Sequence, residues 1–318
     1  MNARTLWCEA VGRGVLRGSS LPDPGLGEVR VRAVLSGVSK GTERLIWAGR
    51  VPVDQHDAMR GPHQKGEFPF PVAYGYGSVG VVEAGSLAVG TRVFCLHPHA
   101  DRYVVPAEDV HAIPESVPDE RAVLTANIET AINAVWDADV RPGERVSVVG
   151  AGVVGCAIAW LIGQIDGIEV TLIDILPERE SVAEALGVSF RSPEAAVDGQ
   201  HRVIHASGTA DGLSLALEIA AFEATITEVS WYGDQPVAVP LGSHFHSRRL
   251  TLRSSQVGCV APSHRASWSC RRRLGLALEK LADPALDALL DRTLRFEDAP
   301  DRLPGLLGQP GLCHALRY

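Results

Sequence analysis

Three glycines and one acid carry the clearest chemistry in the chain. Gly150-Ala151-Gly152-Val153-Val154-Gly155 follows the apolar run of Val146, Val148 and Val149. It opens a helix-length apolar segment from Cys156 to Ile165. A second strand pattern, Glu169 to Ile173, then stops at Asp174, 19 residues past Gly155. Each glycine has a job in holding a pyrophosphate. Gly150 makes the tight turn out of the strand, Gly152 keeps side chains off the phosphates, and Gly155 lets helix and strand approach closely. The helix that starts there points unpaired N–H groups and the positive end of its dipole at the phosphates, with Val153 and Val154 in its first turn. An acid at the position of Asp174 accepts hydrogen bonds from the adenosine ribose and repels a 2′-phosphate. NAD is therefore expected, with NADP disfavoured and Arg179 as a residue that softens the repulsion.

The surrounding elements suit that motif. From Glu120 onward, strand and helix patterns alternate: a helix over 120–140, the glycine motif unit, a helix over 178–186, a strand over 202–206, a helix over 211–221, and strands over 224–231 and 249–254. Such alternation predicts a doubly wound parallel sheet. His205-Ala206-Ser207-Gly208 closes one of these strands, and strand ends at that edge border the ligand crevice. Ser207 and Gly208 are thus expected at the cofactor, as is Thr130 on the helix entering this region. Residues before 120 read differently. Glu28 to Leu35 alternates with period two, Val72 to Glu83 is a glycine-laced strand, and residues 50–71 form an irregular loop. Thr42 is a plausible cap for a short helix after Ser39.

Composition sets further bounds. The 318 residues suit two domains, and 46% hydrophobic with 21% charged residues is ordinary for a globular protein. A net charge of −8 offers no basic field for nucleic acid or an anionic membrane. No apolar run reaches transmembrane length, and no signal-like segment opens the chain. The six cysteines form no CxxC pair, which points to a reduced, cytoplasmic setting.

The ordered set of motifs resembles the medium-chain dehydrogenase/reductase superfamily, the group of zinc alcohol and polyol dehydrogenases, over essentially the whole chain. Ser36-Gly37-Val38-Ser39 is similar to the segment carrying the family's first zinc ligand. Val72–Glu83 is similar to the strand carrying its Gly-His-Glu, and Gly90-Thr91-Arg92-Val93 to its Gly-Asp-Arg-Val. Thr125–Trp136 resembles the helix before the Rossmann fold, and Leu286–Leu307 the family's closing run. The resemblance implies an α/β protein with a GroES-like β domain over 1–122, completed by 258–318. A Rossmann domain would occupy 123–257. It also implies a nicotinamide-dependent dehydrogenase or reductase. The family's zinc ligands, however, are replaced: Ser39 stands at the first position, Tyr76-Gly77 at His-Glu, and the third falls near Ala126. Zinc needs three imidazole, thiolate or carboxylate donors, so a member without zinc is expected. His97-Pro98-His99 offers either a displaced metal pair or ordinary loop histidines.

Something else must then handle the proton at the carbonyl oxygen. Tyr76 takes the position that in the family faces the nicotinamide, and serves either as proton donor or as a packed aromatic. Lys40, where the family places a basic residue toward the pyrophosphate, is a phosphate contact or a solvated lysine. Glu43 either orients Lys40 or the substrate, or is an exposed acid at a helix start. His99, with Asp101 and Arg102, is either a relay or salt-bridged loop structure. Asn127 and Glu129 on the helix, and Arg60, Gln64 and Lys65 on the loop, are further candidates. The expected activity is zinc-independent, NAD(H)-dependent transfer between carbonyl and alcohol on a small-molecule substrate. Tyr74, Tyr76, Trp231 and nearby basic groups favour a ring-bearing one. The rival is a dinucleotide-binding sensor or scaffold without turnover. Relatives commonly pair through a Rossmann edge strand, so a homodimer through residues near 240–255 is expected.

Overall fold

The period-two stretch that begins at Glu28 does form a strand, Glu28–Val38, with Val29, Val31, Ala33 and Leu35 buried. A computed structural model describes all residues, 1–318. In chain order the first elements are β1 (Asn2–Ala10), β2 (Arg13–Ser20), β3 (Glu28–Val38), α1 (Lys40–Trp47), β4 (Lys65–Gly66), β5 (Val72–Ala73), β6 (Ser78–Gly85), β7 (Arg92–Cys95), β8 (Arg102–Pro106), β9 (Val110–Ala112) and α2 (Asp119–Ala122). They are followed by α3 (Thr125–Ala138), β10 (Arg145–Val149), α4 (Val153–Gly163), β11 (Glu169–Ile173), α5 (Arg179–Ala185), β12 (Ser189–Arg191), β13 (Gln200–His205), α6 (Ala210–Ile219), β14 (Ala220–Glu228), β15 (Thr251–Ser254) and α7 (Cys270–Lys280). The chain closes with β16 (Leu290–Arg295), α8 (Ala299–Leu307) and β17 (Cys313–Arg317).

Two units emerge. The first comprises Met1–Ala126, Leu278–Ala282 and Leu290–Tyr318, and the second Asn127–Ala277 and Asp283–Leu289. The first unit holds a sheet ordered β2-β1-β5-β4 and a larger one ordered β16-β17-β3-β6-β7-β9, with β8 pairing β3. β17 pairs antiparallel with β3, so the end of the chain completes the sheet that the beginning starts. Val29, Val31, Val82, Val93, Tyr103 and Val105 form one of its cores.

The second unit holds six strands in the order β12-β11-β10-β13-β14-β15, all parallel. The order reverses between β10 and β13, and ligands of doubly wound sheets bind at such a point. Ile173, Val203, Leu217 and Ile226 pack its interior. No helix is long and apolar enough to cross a membrane.

Several boundaries differ from the sequence reading. The helix expected over 120–140 breaks into α2 and α3, with Thr125 Oγ1 bonding the Ala122 carbonyl at the break. The strand expected over 72–83 splits at Gly75, whose φ of +127° is incompatible with a regular strand. The helix after Ser39 starts one turn earlier than a Thr42 cap would set: Ser39 is the N-cap. The second unit also keeps residues 258–277, which the resemblance had assigned to the β domain. The reason is Arg273. Its buried guanidinium reaches Glu129 and Asn133 on α3 and the carbonyls of Val257 and Cys259. The stack of His264 on Trp136, 4.1 Å between ring centres, adds to this.

Candidate active site

At the C-terminal end of β10 the chain turns at Gly150 with φ +108°. A side chain there would press on the backbone of Ser207, its Cβ 2.5 Å from the Ser207 nitrogen. A Cβ on Gly155 would lie 1.8 Å from the Gly150 carbonyl oxygen, so helix α4 can meet the strand only through a glycine. Around Gly152 the reverse holds: an added Cβ would meet nothing within 4 Å. Gly152 is the N-cap of α4 and supplies no side-chain cap. The N–H groups of the first turn, Val153, Val154 and Gly155, have no acceptor within the helix. Asp174 stands over this loop. Its Oδ2 accepts the Ala151 N–H at 2.6 Å and its Oδ1 the Leu176 N–H at 2.9 Å. Arg179 begins α5 and is buried, and Thr130 is half-buried on α3. Ser207 rests against Gly150, while Gly208 (φ +66°) donates its N–H to Ser230 Oγ at 3.0 Å.

A different kind of site lies in the first unit. The Tyr76 hydroxyl donates to Ser39 Oγ at 2.5 Å and reaches Thr42 Oγ1 at 3.1 Å. Glu43, buried, accepts the Ser39 N–H at 2.8 Å through Oε1. Its Oε2 lies 3.2 Å from His99 Nε2. An ionised carboxylate only accepts, which puts the His99 proton on Nε2. His99 Nδ1 then accepts from the Ser36 hydroxyl at 2.7 Å, and the Tyr318 hydroxyl lies 2.8 Å from the same oxygen. Gly75 makes room for the imidazole, because a Cβ there would sit 2.9 Å from the ring. Burial pushes the Tyr76 phenol up to about 12, against the opposing bonds to Ser39 and Thr42.

Three of the four residues expected to act on substrate thus come together: Tyr76, Glu43 and His99. Glu43 turns out to orient Ser39 and His99 rather than Lys40, and it is not an exposed acid. Lys40 directs its ammonium to the Gln309 carbonyl. The two loop histidines do not form a metal pair. His97 stacks on Tyr103 at 3.8 Å and bonds the Pro98 carbonyl, and burial pushes its imidazole down to about 3. Asp101 and Arg102 are structural: Asp101 accepts from the Arg4 amide and guanidinium, and Arg102 from its side donates to Glu83. Arg60 pairs with Glu67, and Gln64 accepts the Gly61 N–H. Burial raises the Glu129 carboxyl to about 7, despite the Arg273 guanidinium 3.0 Å away. Nothing in the local sequence marks Arg273 as the one buried arginine of the three at 271–273.

No family model matches the chain. It is 25% identical over 310 residues to D-guloside 3-dehydrogenase of Escherichia coli K12, covering 86% of this chain and 87% of that protein. Among solved structures, an alcohol dehydrogenase from Escherichia coli CFT073, complexed with NADH, superposes with a TM-score of 0.78 at 19% identity. It covers 100% of this chain and 99% of its own. A dehydrogenase from Sinorhizobium meliloti 1021, bound to NADP, gives a TM-score of 0.78 at 17% identity, with both chains covered completely. This chain has the medium-chain dehydrogenase/reductase fold.

Within that fold the donors at the zinc positions do not fit zinc. Ser39 and Tyr76 bond each other through their hydroxyls, and Ala126 has no donor. No three His, Cys, Asp or Glu side chains anywhere come together in a way that could hold a metal ion. Cys95 and Cys313 are buried, and burial pushes both thiols up to about 12, away from the thiolate a metal needs. The nucleotide cradle does fit: three glycines, an uncapped helix N-terminus and an acid on the adjacent strand end are arranged around open space.

Proposed function

We propose that this chain is a zinc-independent, NAD(H)-dependent oxidoreductase that interconverts a carbonyl and an alcohol on a small, ring-bearing metabolite. A fold alone does not fix an activity. What carries the reading is the space at Gly152, which a Cβ would enter without contact while Gly150 and Gly155 tolerate none. Backbone amides of Val153, Val154 and Gly155 would hold the two phosphates, and Asp174 the adenosine ribose, with Ser207 and Gly208 beyond. When bound, the coenzyme supplies or accepts the hydride. Tyr76 is the proton donor in this reading. Burial keeps the phenol protonated up to about 12, which makes it a weak acid: it holds its proton at neutral pH as a hydrogen-bond donor to a carbonyl oxygen and gives it up only as that oxygen gains alkoxide character, a role worth roughly 10²–10⁴-fold in rate. Ser39 and Thr42 fix its hydroxyl, and Glu43 with His99 fixes Ser39.

The likeness to a D-guloside 3-dehydrogenase supports a hydroxylated, ring-bearing substrate. Asp174 supports NAD over NADP, although neighbours of this fold bind either NADH or NADP. Two copies would pair through β15, an edge strand exposed along its length, and a monomeric mass in light scattering would remove that pairing. Six free thiols agree with a reducing, cytoplasmic compartment.

The decisive experiment mixes the purified protein with NADH and a panel of sugar-derived and aromatic ketones and aldehydes, and follows reduced-nicotinamide absorbance. Turnover that survives chelators and collapses in Tyr76→Phe supports the reading. NADH binding with no turnover on any substrate points instead to a dinucleotide sensor.

A further inference from the structure

Two buried donors near Tyr76 have no acceptor in the protein, and the hub described above does not use them. Tyr74 follows β5, and its ring meets that of Tyr76 edge to face with 5.9 Å between centres. The Tyr74 ring also packs against Phe68 at 5.9 Å, and Phe68 meets His56 at 5.6 Å. Tyr74 is 9% exposed. Burial raises its phenol, Tyr76 and Glu43 add to the effect, and no hydrogen bond opposes it.

Gln64 approaches the same phenol by way of Gly61. A Cβ on Gly61 would lie 3.0 Å from Tyr74 Cε2 and 3.4 Å from Cζ, the carbon that carries the hydroxyl. The Gly61 N–H donates to Gln64 Oε1 at 3.1 Å, and the Gln64 N–H donates to the Gly61 carbonyl at 3.2 Å. The first of these bonds fixes which end of the side-chain amide is which, because an N–H needs the oxygen. Nε2 is left over. It is buried, on a side chain 7% exposed, and has no hydrogen-bond partner.

A buried donor without an acceptor costs free energy, and native interiors rarely keep one. Here two of them meet at one glycine, next to the proposed proton donor. Aromatic walls with a few placed donors are the usual lining of a small-molecule site. Both groups call for oxygen acceptors on a ligand. Charge selects which oxygens. Glu43 is buried and acts on Tyr74 through its charge, so a carboxylate or phosphate on the ligand would be repelled. Neutral hydroxyl oxygens would not.

We propose that Tyr74 and Gln64 form a hydroxyl-recognition subsite beside Tyr76: the Tyr74 hydroxyl and the Gln64 Nε2 amide donate to oxygens of a neutral, polyhydroxylated ring, away from the carbon that is reduced. This rests on the reading of Tyr76 as proton donor and adds two specificity-determining residues to it.

The test is ligand-observed NMR titration of the full chain with NADH present. The probes are the methyl pyranosides of glucose, galactose and mannose, with cyclohexanol and glucuronate as contrasts. At least one pyranoside is expected to bind about tenfold or more tightly than cyclohexanol. Tyr74→Phe and Gln64→Leu should each weaken it about three- to tenfold, the worth of one hydrogen bond, and leave cyclohexanol unchanged. If Gln64→Leu does not fold, Tyr74→Phe, which keeps the ring, carries the test. No pyranoside tighter than cyclohexanol, an affinity indifferent to Tyr74→Phe, or tighter binding of glucuronate overturns the subsite. Kinetics separates it from the reading it rests on. Tyr74→Phe should raise KM for a sugar-derived ketone and hold kcat within about twofold, whereas Tyr76→Phe lowers kcat. Pyranoside binding as expected, in a protein whose turnover ignores Tyr76→Phe, overturns the donor role and leaves the subsite standing.

Discussion

The cradle at Gly150–Gly155 and the hub at Tyr76 are built on opposite principles. In the cradle, function comes from side chains that are not there: two glycines sit where a Cβ would collide with backbone, and a third faces open space. Its donors are amides that the helix leaves unpaired. In the hub, function comes from side chains that have already satisfied one another. Tyr76, Ser39, Thr42, Glu43, His99 and Ser36 form a bonded group, where relatives of the resembled family place a metal. The contrast shows how such a fold can lose a cation and keep its coenzyme. Each buried donor and acceptor of the hub has a partner without zinc, and the cradle never used zinc.

The sharpest way to break this contrast is to put a side chain into the cradle. Gly155→Val should abolish NADH binding in a fluorescence titration and lower the melting temperature by several degrees, because its Cβ would overlap the Gly150 carbonyl. Unimpaired binding would show that the space is not a phosphate site. Next in size is Tyr76→Phe, which should cut kcat for carbonyl reduction by roughly 10²–10⁴ and leave NADH affinity unchanged. The wild-type rate should show no Tyr76 titration between pH 6 and 9, since burial keeps the phenol protonated up to about 12. A stopped-flow pH profile checks both.

Asp174→Ala should move the NADPH-to-NADH preference by about tenfold toward NADPH, the removal of one like charge near a 2′-phosphate, as read by competitive binding. An unchanged ratio would place the ribose elsewhere. The smallest effect concerns Glu129. Its folded carboxyl sits at about 7, above the ordinary 4.5. The folded state therefore binds the extra proton more tightly, and this contribution is full below about pH 4.5 and lost as pH rises through 7. Melting curves should show wild type losing stability relative to Glu129→Gln between pH 5 and 8. A constant gap would mean that the carboxylate stays ionised against Arg273 throughout.

Much of this was written locally in the chain. The glycine spacing, the strand before it and the acid after it depend on neighbours within about thirty residues. Local backbone geometry enforces them, so β10, α4 and β11 fall where the pattern puts them. The substitution of zinc donors by Ser39 and Tyr76 was equally readable, because ligand chemistry depends on residue type. Partnership across long separations was not. Nothing near Glu43 announces that it is buried against His99, 56 residues away. Nothing in the run of three arginines at 271–273 says that only the last turns inward to Glu129, 144 residues earlier. His205 likewise finds its partner in Glu228, one strand over. A backbone that needs no side chain can be specified by sequence alone. A polar side chain leaving water must find its partner wherever the fold delivers one, and that choice belongs to the tertiary structure.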